Sequence, residues 1–272
     1  MRPKKSLGQH FLAAPHIATS MAAQAVTESD ASVLEIGPGK GVLTRALLEK
    51  GARVTAIEKD HDLIPILKDK FSDAISEGKL KLIEGDVRDL RDRDLPEKYK
   101  LVANIPYYIT GEIIRTFLTR TRKPSFIALL VQDEVAKRIA TKSARGGSAF
   151  GGKRKESILS ISVKAYGTPR YVRKVPRSVF KPAPSVDSAV LIIEHISNDR
   201  FKEVDEEFFF KIVRAGFASK RKMLLGNLSA LASREMLQKI FSALSINEKI
   251  RAEDIPFEKW FALTKELSSL AR

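Results

Sequence analysis

The sequence predicts an α/β protein: a parallel sheet covered by helices over residues 1–197, then a small all-helical domain over residues 198–272. Three observations lead there. Short apolar strands alternate with amphipathic helices through the first two-thirds of the chain. The residues of chemical interest fall just past the carboxyl ends of those strands. From about residue 198 no strand signal remains. A chain of 272 residues can bury a large core, and 43% apolar with 30% charged residues suits a soluble globular protein.

Val33-Leu34-Glu35-Ile36 reads as a short strand running into glycines. Val42 to Lys50 is amphipathic, with Gly51 as its C-terminal stop. Arg53 to Glu58 is a second strand, Asp62 to Phe71 a helix, and Leu80 to Ile83 a third strand. Lys100 to Ala103 is a fourth, and Thr110 is placed to cap a helix reaching about Arg120. Phe126 to Val131 is the continuous apolar run of a central parallel strand, and a helix follows over Glu134 to Ala140. Residues 141–157, with four glycines and Lys153-Arg154-Lys155, read as a mobile basic loop. Ile158 to Val163 fits either a strand or one face of a helix. Tyr171 to Val175 and Ser188 to Ile193 form a closing strand pair, and the proline-rich segment Phe180 to Ser185 between them suits neither strand nor helix. Helices are expected over Phe208–Ala218, Met223–Leu231, Glu235–Leu244 and Phe257–Leu270.

The formal charge of +15 implies a polyanionic partner, nucleic acid or an acidic membrane surface. The charge is clustered. Residues 137–181 carry thirteen Lys or Arg against the single acid Glu156, and Phe208 to Leu225 adds Lys211, Arg214, Lys220, Arg221 and Lys222 with no acid. Without cysteine there is no disulfide, thiolate nucleophile or Cys-ligated zinc, and four scattered histidines point to no metal site. No apolar run has the length of a membrane span. The basic start, Met1 to Lys5, leads into no apolar signal core. A cytoplasmic monomer is the expectation.

Open α/β sheets bind ligands beyond the carboxyl ends of their strands. Gly37, Glu58, Asp86 and Asn104 each end or follow one strand. Gly37-Pro38-Gly39-Lys40-Gly41 is G-x-G-x-G, not the G-x-G-x-x-G of dinucleotide enzymes. A loop of this kind lets the backbone approach the amino-acid and ribose portions of S-adenosylmethionine, which has no phosphate. Glu58, at the end of the second strand, can accept both ribose hydroxyls, and Asp86 can accept from the adenine amine. Asn104-Ile105-Pro106-Tyr107 offers the Asn104 side-chain oxygen and the Ile105 carbonyl to an exocyclic amine. Such an amine is a poor nucleophile because its lone pair is delocalised, and neutral acceptors draw it toward tetrahedral geometry without competing for the sulfonium. Tyr107 offers a face for the target base, and Phe180 a second face to clamp it. Lys220-Arg221-Lys222 are expected to open a helix and meet phosphates. These residues together read as a nucleobase methylase.

In this order, the motifs resemble the ribosomal RNA adenine dimethyltransferases. The segments that carry the resemblance are Lys4 to Leu12, Glu35 to Gly41, Asn104 to Tyr108, Val131 to Ala136, Phe180 to Val190 and Phe217 to Lys222. The resemblance implies a Rossmann-like class I methyltransferase sheet with a small helical domain behind it. It implies S-adenosylmethionine as methyl donor and no metal. It implies dimethylation of the N6 amines of two adjacent adenosines near the 3′ end of small-subunit rRNA, with a part in small-subunit biogenesis. The family's cofactor contacts fall on Gln9, His10, Leu12, Gly37, Gly39, Glu58, Asp86 and Asn104, with residues 9–12 folding over the cofactor. The chain departs from the family at Gly151 to Ser160. Large-subunit methylases of macrolide-resistance type resemble its first domain, but Val186 to Ala189 and Phe217 to Lys222 look more like the small-subunit enzymes. A non-catalytic ribosome-assembly factor would not need Gly37, Glu58, Asp86 and Asn104 together.

Overall fold

The computed structural model describes residue 4, residues 7–140 and residues 155–269. In chain order they form β1 (Phe11–Leu12), α1 (Pro15–Ala25), β2 (Ser32–Ile36), α2 (Val42–Glu49), β3 (Arg53–Glu58), α3 (Leu63–Lys70), α4 (Ser72–Ser76), β4 (Leu80–Glu84), β5 (Lys100–Ala103) and α5 (Thr110–Thr119). There follow β6 (Phe126–Gln132), α6 (Asp133–Ile139), α7 (Ile158–Tyr166), β7 (Thr168–Val175), β8 (Phe180–Lys181), β9 (Ser188–Glu194), α8 (Glu206–Gly216), α9 (Leu224–Leu228), α10 (Arg234–Ala243) and α11 (Phe257–Ser269).

Two compact units result, residues 1–136 with 167–196, and residues 137–166 with 197–272. The first holds a seven-stranded sheet of order β4-β3-β2-β5-β6-β9-β7. The five strands β4 to β6 are parallel, whereas β9 and β7 run antiparallel to their neighbours. The closing pair read from the sequence is therefore an antiparallel extension of the parallel sheet. The chain leaves β2 toward one edge and β5 toward the other, so the strand order reverses between β2 and β5, where open sheets carry their crevice. β6 is buried along nearly its whole length, as its unbroken apolar run requires. α1 starts with Pro15 in its first turn and buries Ile17, Ala18, Met21, Ala22 and Ala25. Those mostly small side chains let it lie against α2, β5 and β6.

Among its described residues the second unit is helical. Phe209 stacks on Phe261 at 4.3 Å, Trp260 is fully buried, and α8 packs on α9 and α11. α7 belongs here rather than with the sheet. Ser157 and Ser160 exchange backbone-to-side-chain bonds of 2.7 and 3.1 Å, a capping-box arrangement that decides for helix over strand at Ile158. Glu156 and Lys164, both buried, form an ion pair that ties the start of this helix to its end.

Three further expectations change. Phe180 and Lys181 are not loop but β8, which pairs antiparallel with β1. Lys220-Arg221-Lys222 do not open a helix: they lie in the turn before it, with Met223 extended as the cap of α9. Thr110 begins α5 rather than capping it. Most of the expected basic loop, residues 141–154, lies outside the described residues. No helix among the described residues is long and apolar enough to cross a membrane.

Candidate active site

The carboxyl ends of β2, β3, β4 and β5 open into one cleft of about 1180 Å³, solvent at its mouth included. Gln9, His10, Leu12, Gly37, Gly39, Glu58, Asp86, Asn104, Ile105, Pro106 and Tyr107 all line it, so eleven residues far apart in sequence meet at one place.

The glycine loop is held from two sides. Gly37 N–H donates to the Ile57 carbonyl at 2.9 Å, and Gly39 N–H donates to Glu58 Oε2 at 3.0 Å. Gly39 has φ +57°, and a Cβ there would sit 2.9 Å from the Phe11 ring. Only glycine allows both that conformation and that approach. Glu58 Oε1 also accepts from Asp60 N–H at 2.9 Å. Burial pushes the Glu58 carboxyl up, and these two backbone donors offset part of the rise. Each oxygen keeps a lone pair for a further donor.

Asp86 is more heavily engaged than its sequence position suggests. Its Oδ2 accepts from Arg88 at 2.5 Å and lies 2.9 Å from Lys59 Nζ, and its Oδ1 accepts from the Arg88 backbone at 3.0 Å. The Arg88 guanidinium, more than any other group, holds its carboxyl well below the usual range.

At β5, Asn104 Nδ2 donates to the His10 carbonyl at 3.1 Å. That bond fixes the amide orientation and leaves Oδ1 as the free acceptor. The Tyr107 hydroxyl lies 2.6 Å from Ser188 Oγ, and its ring is nearly parallel to His10, with centroids 6.1 Å apart. Burial raises the Tyr107 phenol, tempered by the Ser188 bond. His10 Nδ1 lies 2.8 Å from the Pro182 carbonyl. A carbonyl only accepts, so Nδ1 carries the hydrogen.

The N-terminal segment is anchored by Asp60, which the sequence reading passed over. Asp60 is 1% exposed, and its carboxylate accepts from Lys4 Nζ at 2.5 Å and Gln9 Nε2 at 2.7 Å. Burial alone would raise the Asp60 carboxyl, but Lys4, Gln9 and the Asp62 amide outweigh it and bring it below its ordinary value. Gln9 Oε1 accepts from Lys4 N–H at 2.8 Å, so both ends of the Gln9 amide serve this anchor. Asp60, His61 and Asp62 could present three ligand atoms to a cation, but the Lys4 ammonium already lies on both carboxylates.

Phe180 corrects the sequence reading. It is 2% exposed, belongs to the core cluster with Phe11 and Leu12, and does not line the cleft. It pairs with Leu12 in the β1–β8 ladder, and its ring is packed in that core and not presented at the cleft surface. Ser188 and Glu35 are further residues whose roles the sequence hid. Ser188 steadies Tyr107, and Glu35 lines the cleft fully buried, with Thr44 as its polar neighbour.

Lys220, Arg221 and Lys222 lie in the other unit, exposed on a braced turn. Asn227 Nδ2 donates to the Gly216 and Ser219 carbonyls at 2.6 and 3.0 Å, and Phe217 stacks on Trp260 at 5.6 Å.

A family model described as ribosomal RNA adenine dimethylase matches residues 1–269. The chain belongs to this family. Ribosomal RNA small subunit methyltransferase A of Fusobacterium nucleatum subsp. nucleatum is 37% identical over 267 residues, 96% of each chain. The protein of the same name from Dehalococcoides mccartyi (strain CBDB1) is 36% identical over 273 residues, 98% of this chain and 89% of its own. Among solved structures, a dimethyladenosine transferase from Plasmodium falciparum superposes with a TM-score of 0.77 at 25% identity, covering 96% of this chain and 98% of that one. The 23S rRNA methyltransferase ErmE superposes with a TM-score of 0.72 at 24% identity over 95% of this chain and 99% of its own, a likeness of fold. This dimethylase is thus a Rossmann-like class I methyltransferase that uses S-adenosylmethionine.

The cleft fits that methyl donor on its own evidence. Gly39 leaves room that a Cβ would fill, and Glu58, with one backbone donor on each oxygen, keeps lone pairs for hydroxyl donors.

Proposed function

We propose that this dimethylase transfers methyl groups to the N6 amines of two adjacent adenosines near the 3′ end of small-subunit rRNA, in the course of small-subunit biogenesis. The observation that carries this reading is the Asn104 amide, tethered through Nδ2 so that its oxygen alone remains to accept, in the same cleft as the glycine loop and Glu58.

S-adenosylmethionine, when bound, supplies an electrophilic methyl group. Glu58 would accept the ribose hydroxyls, Asp86 would face the adenine, and the backbone of residues 9–12 would form one wall. Asn104 Oδ1 and the Ile105 carbonyl accept the two N–H bonds of the target amine and favour the tetrahedral geometry in which its lone pair is available. Both are neutral, and they stabilise the positive charge that grows on nitrogen. Tyr107, braced by Ser188, stacks on the flipped base, a contact of about 1–3 kcal/mol by analogy with single-strand binders. No strong base is needed, because nitrogen becomes acidic once it has been alkylated and its proton passes to solvent.

The helical residues 198–272 take the role of RNA docking, with Lys220, Arg221 and Lys222 on phosphates, while residues 1–197 carry the chemistry. The protein acts as a cytoplasmic monomer on a small-subunit precursor. Mass spectrometry of small- and large-subunit rRNA after incubation with the protein and S-adenosylmethionine tests the reading. Dimethyladenosine pairs are expected in small-subunit rRNA, and methylation confined to large-subunit rRNA would reject it.

A further inference from the structure

Tyr108 is the one exposed aromatic among the described residues, at 68%. It follows Tyr107 in a single 3₁₀ turn, Tyr107–Ile109, that joins Pro106 to α5, and it lines the cleft. The Ile109 N–H closes this turn by donating to the Pro106 carbonyl at 3.2 Å. One edge of the Tyr108 ring rests on the backbone of Gly8: a Cβ on Gly8 would come within 3.1 Å of Cε1 and 3.3 Å of Cδ1. Gly8 precedes Gln9, which Asp60 holds. The ring is thus backed by an anchored segment while most of its surface stays in water. Apolar side chains exposed singly are ordinary, but an aromatic so placed beside a nucleobase site has a use that its packing does not explain.

The two consecutive tyrosines diverge. Tyr107 turns toward β9, where its hydroxyl lies 2.6 Å from Ser188 Oγ. Tyr108 turns toward Gly8 and lies within electrostatic reach of Arg88, beyond β4. In the sheet, β9 and β4 lie on opposite sides of β5, so the two rings serve different places. A base taken out of its stack leaves the next nucleotide with a bare face. The β9 side offers that nucleotide a second hollow, of about 800 Å³ with solvent at its mouth included. Asp133, Glu134 and Asp187 line it against Arg177 alone, an excess of negative charge that disfavours phosphate. Beside Tyr108 the cleft sets Lys59 and Arg88 against Asp86 and Glu112, so the charges there balance.

We propose that Tyr108 is the stacking surface for the nucleotide adjacent to the one being methylated, the second adenosine of the pair. Tyr107 and Tyr108, consecutive in the protein, then hold consecutive bases of the RNA. The waiting base is kept splayed and close while its neighbour reacts, and the strand enters the site with both bases already out of their stack. Because Gly8 and the closed turn fix the ring before RNA arrives, little ordering remains to be done on binding. The inference rests on the rRNA reading of the site.

A cycle between protein and RNA tests it. Small subunits are reconstituted with rRNA whose 3′ segment, added by ligation, is either intact or carries an abasic residue in place of one adenosine or the other. Methyl transfer by the full chain is measured as kcat/KM for the native protein, Tyr108→Phe and Tyr108→Ala. On intact RNA, Tyr108→Ala should lose about 5- to 150-fold, the worth of one base stacked on an aromatic, and Tyr108→Phe should keep most of the native rate. With at least one of the two abasic RNAs the native protein should lose a similar factor, and Tyr108→Ala should lose nothing further. S-adenosylmethionine affinity by calorimetry should be the same in all three proteins. Losses that add with both abasic RNAs overturn the proposal, as does a native rate on intact RNA in Tyr108→Ala. A Tyr108→Ala loss that follows weakened cofactor binding also overturns it, making Tyr108 a wall of the cofactor site. Failure of the native protein to methylate intact subunits would remove the rRNA reading itself, and this inference with it.

Discussion

The cleft at the ends of β2 to β5 and the basic turn before α9 are built in opposite ways. In the cleft, Glu58 is 6% exposed and bonded to two backbone amides, and Asn104 is tied to the His10 carbonyl. In the turn, Lys220, Arg221 and Lys222 are exposed, and only the backbone beneath them is fixed, through Asn227. A desolvated group has few alternative partners, so each substitution there acts strongly and singly. An exposed cation keeps its water and counter-ions, so its contribution is small, additive and sensitive to salt.

Asn104→Ala should sharpen the contrast most. Loss of the tethered acceptor is expected to cost on the order of 10²–10³-fold in single-turnover methyl transfer, by analogy with removal of one oxyanion-hole donor, with the sign of the developing charge reversed. Near-normal turnover would take Asn104 out of the chemistry. Glu58→Ala comes next, weakening S-adenosylmethionine binding by about 1.5–3 kcal/mol, the usual worth of hydrogen bonds to a charged group. Part of that loss passes through the Gly39 amide, which would also lose its acceptor. Unchanged affinity by calorimetry in a folded variant would break the comparison. The smallest effect per residue belongs to the triple replacement of Lys220, Arg221 and Lys222 by Ala. It should leave cofactor affinity unchanged while the slope of log K against log salt for RNA flattens by about 0.7–0.9 for each lost phosphate contact. A cofactor affinity that falls with it, or a slope that stays the same, would show that the two regions do not divide the work in this way.

What the sequence disclosed follows the same contrast. β3 and β5 are legible to the residue because their apolar runs are bounded by charge and turn residues. The strand-end positions of Gly37, Glu58, Asp86 and Asn104 follow from that, since local periodicity fixes where a strand stops. Contacts between distant segments left little local trace. Phe180 looks like an exposed aromatic among prolines, and only its pairing with β1 turns it into core. α1 is built largely on alanine, which gives a weak amphipathic pattern although five of its residues are buried. Asp60 and Glu35 are ordinary acids in the sequence. The first becomes an anchor because Lys4 and Gln9 reach it, and the second is shut away from solvent beneath the cleft with Thr44 beside it.

The pairing of β1 with β8 also bears on when the protein becomes competent during synthesis. His10, in one wall of the cleft, is bonded to the carbonyl of a residue 172 positions later in the chain. Contacts of such sequence separation form late, because the intervening loop must close before they return any stabilisation. A nascent chain that has emerged only as far as β6 already has the parallel strands, the glycine loop, the Asp60 anchor and the Asn104 bond to the His10 carbonyl, yet lacks the β8 pairing and the Pro182 carbonyl that complete the hold on residues 10–12. The ligand-binding wall is thus completed by one of the last segments of the sheet unit to leave the ribosome, and half-made chains have no finished cleft in which to sequester the methyl donor.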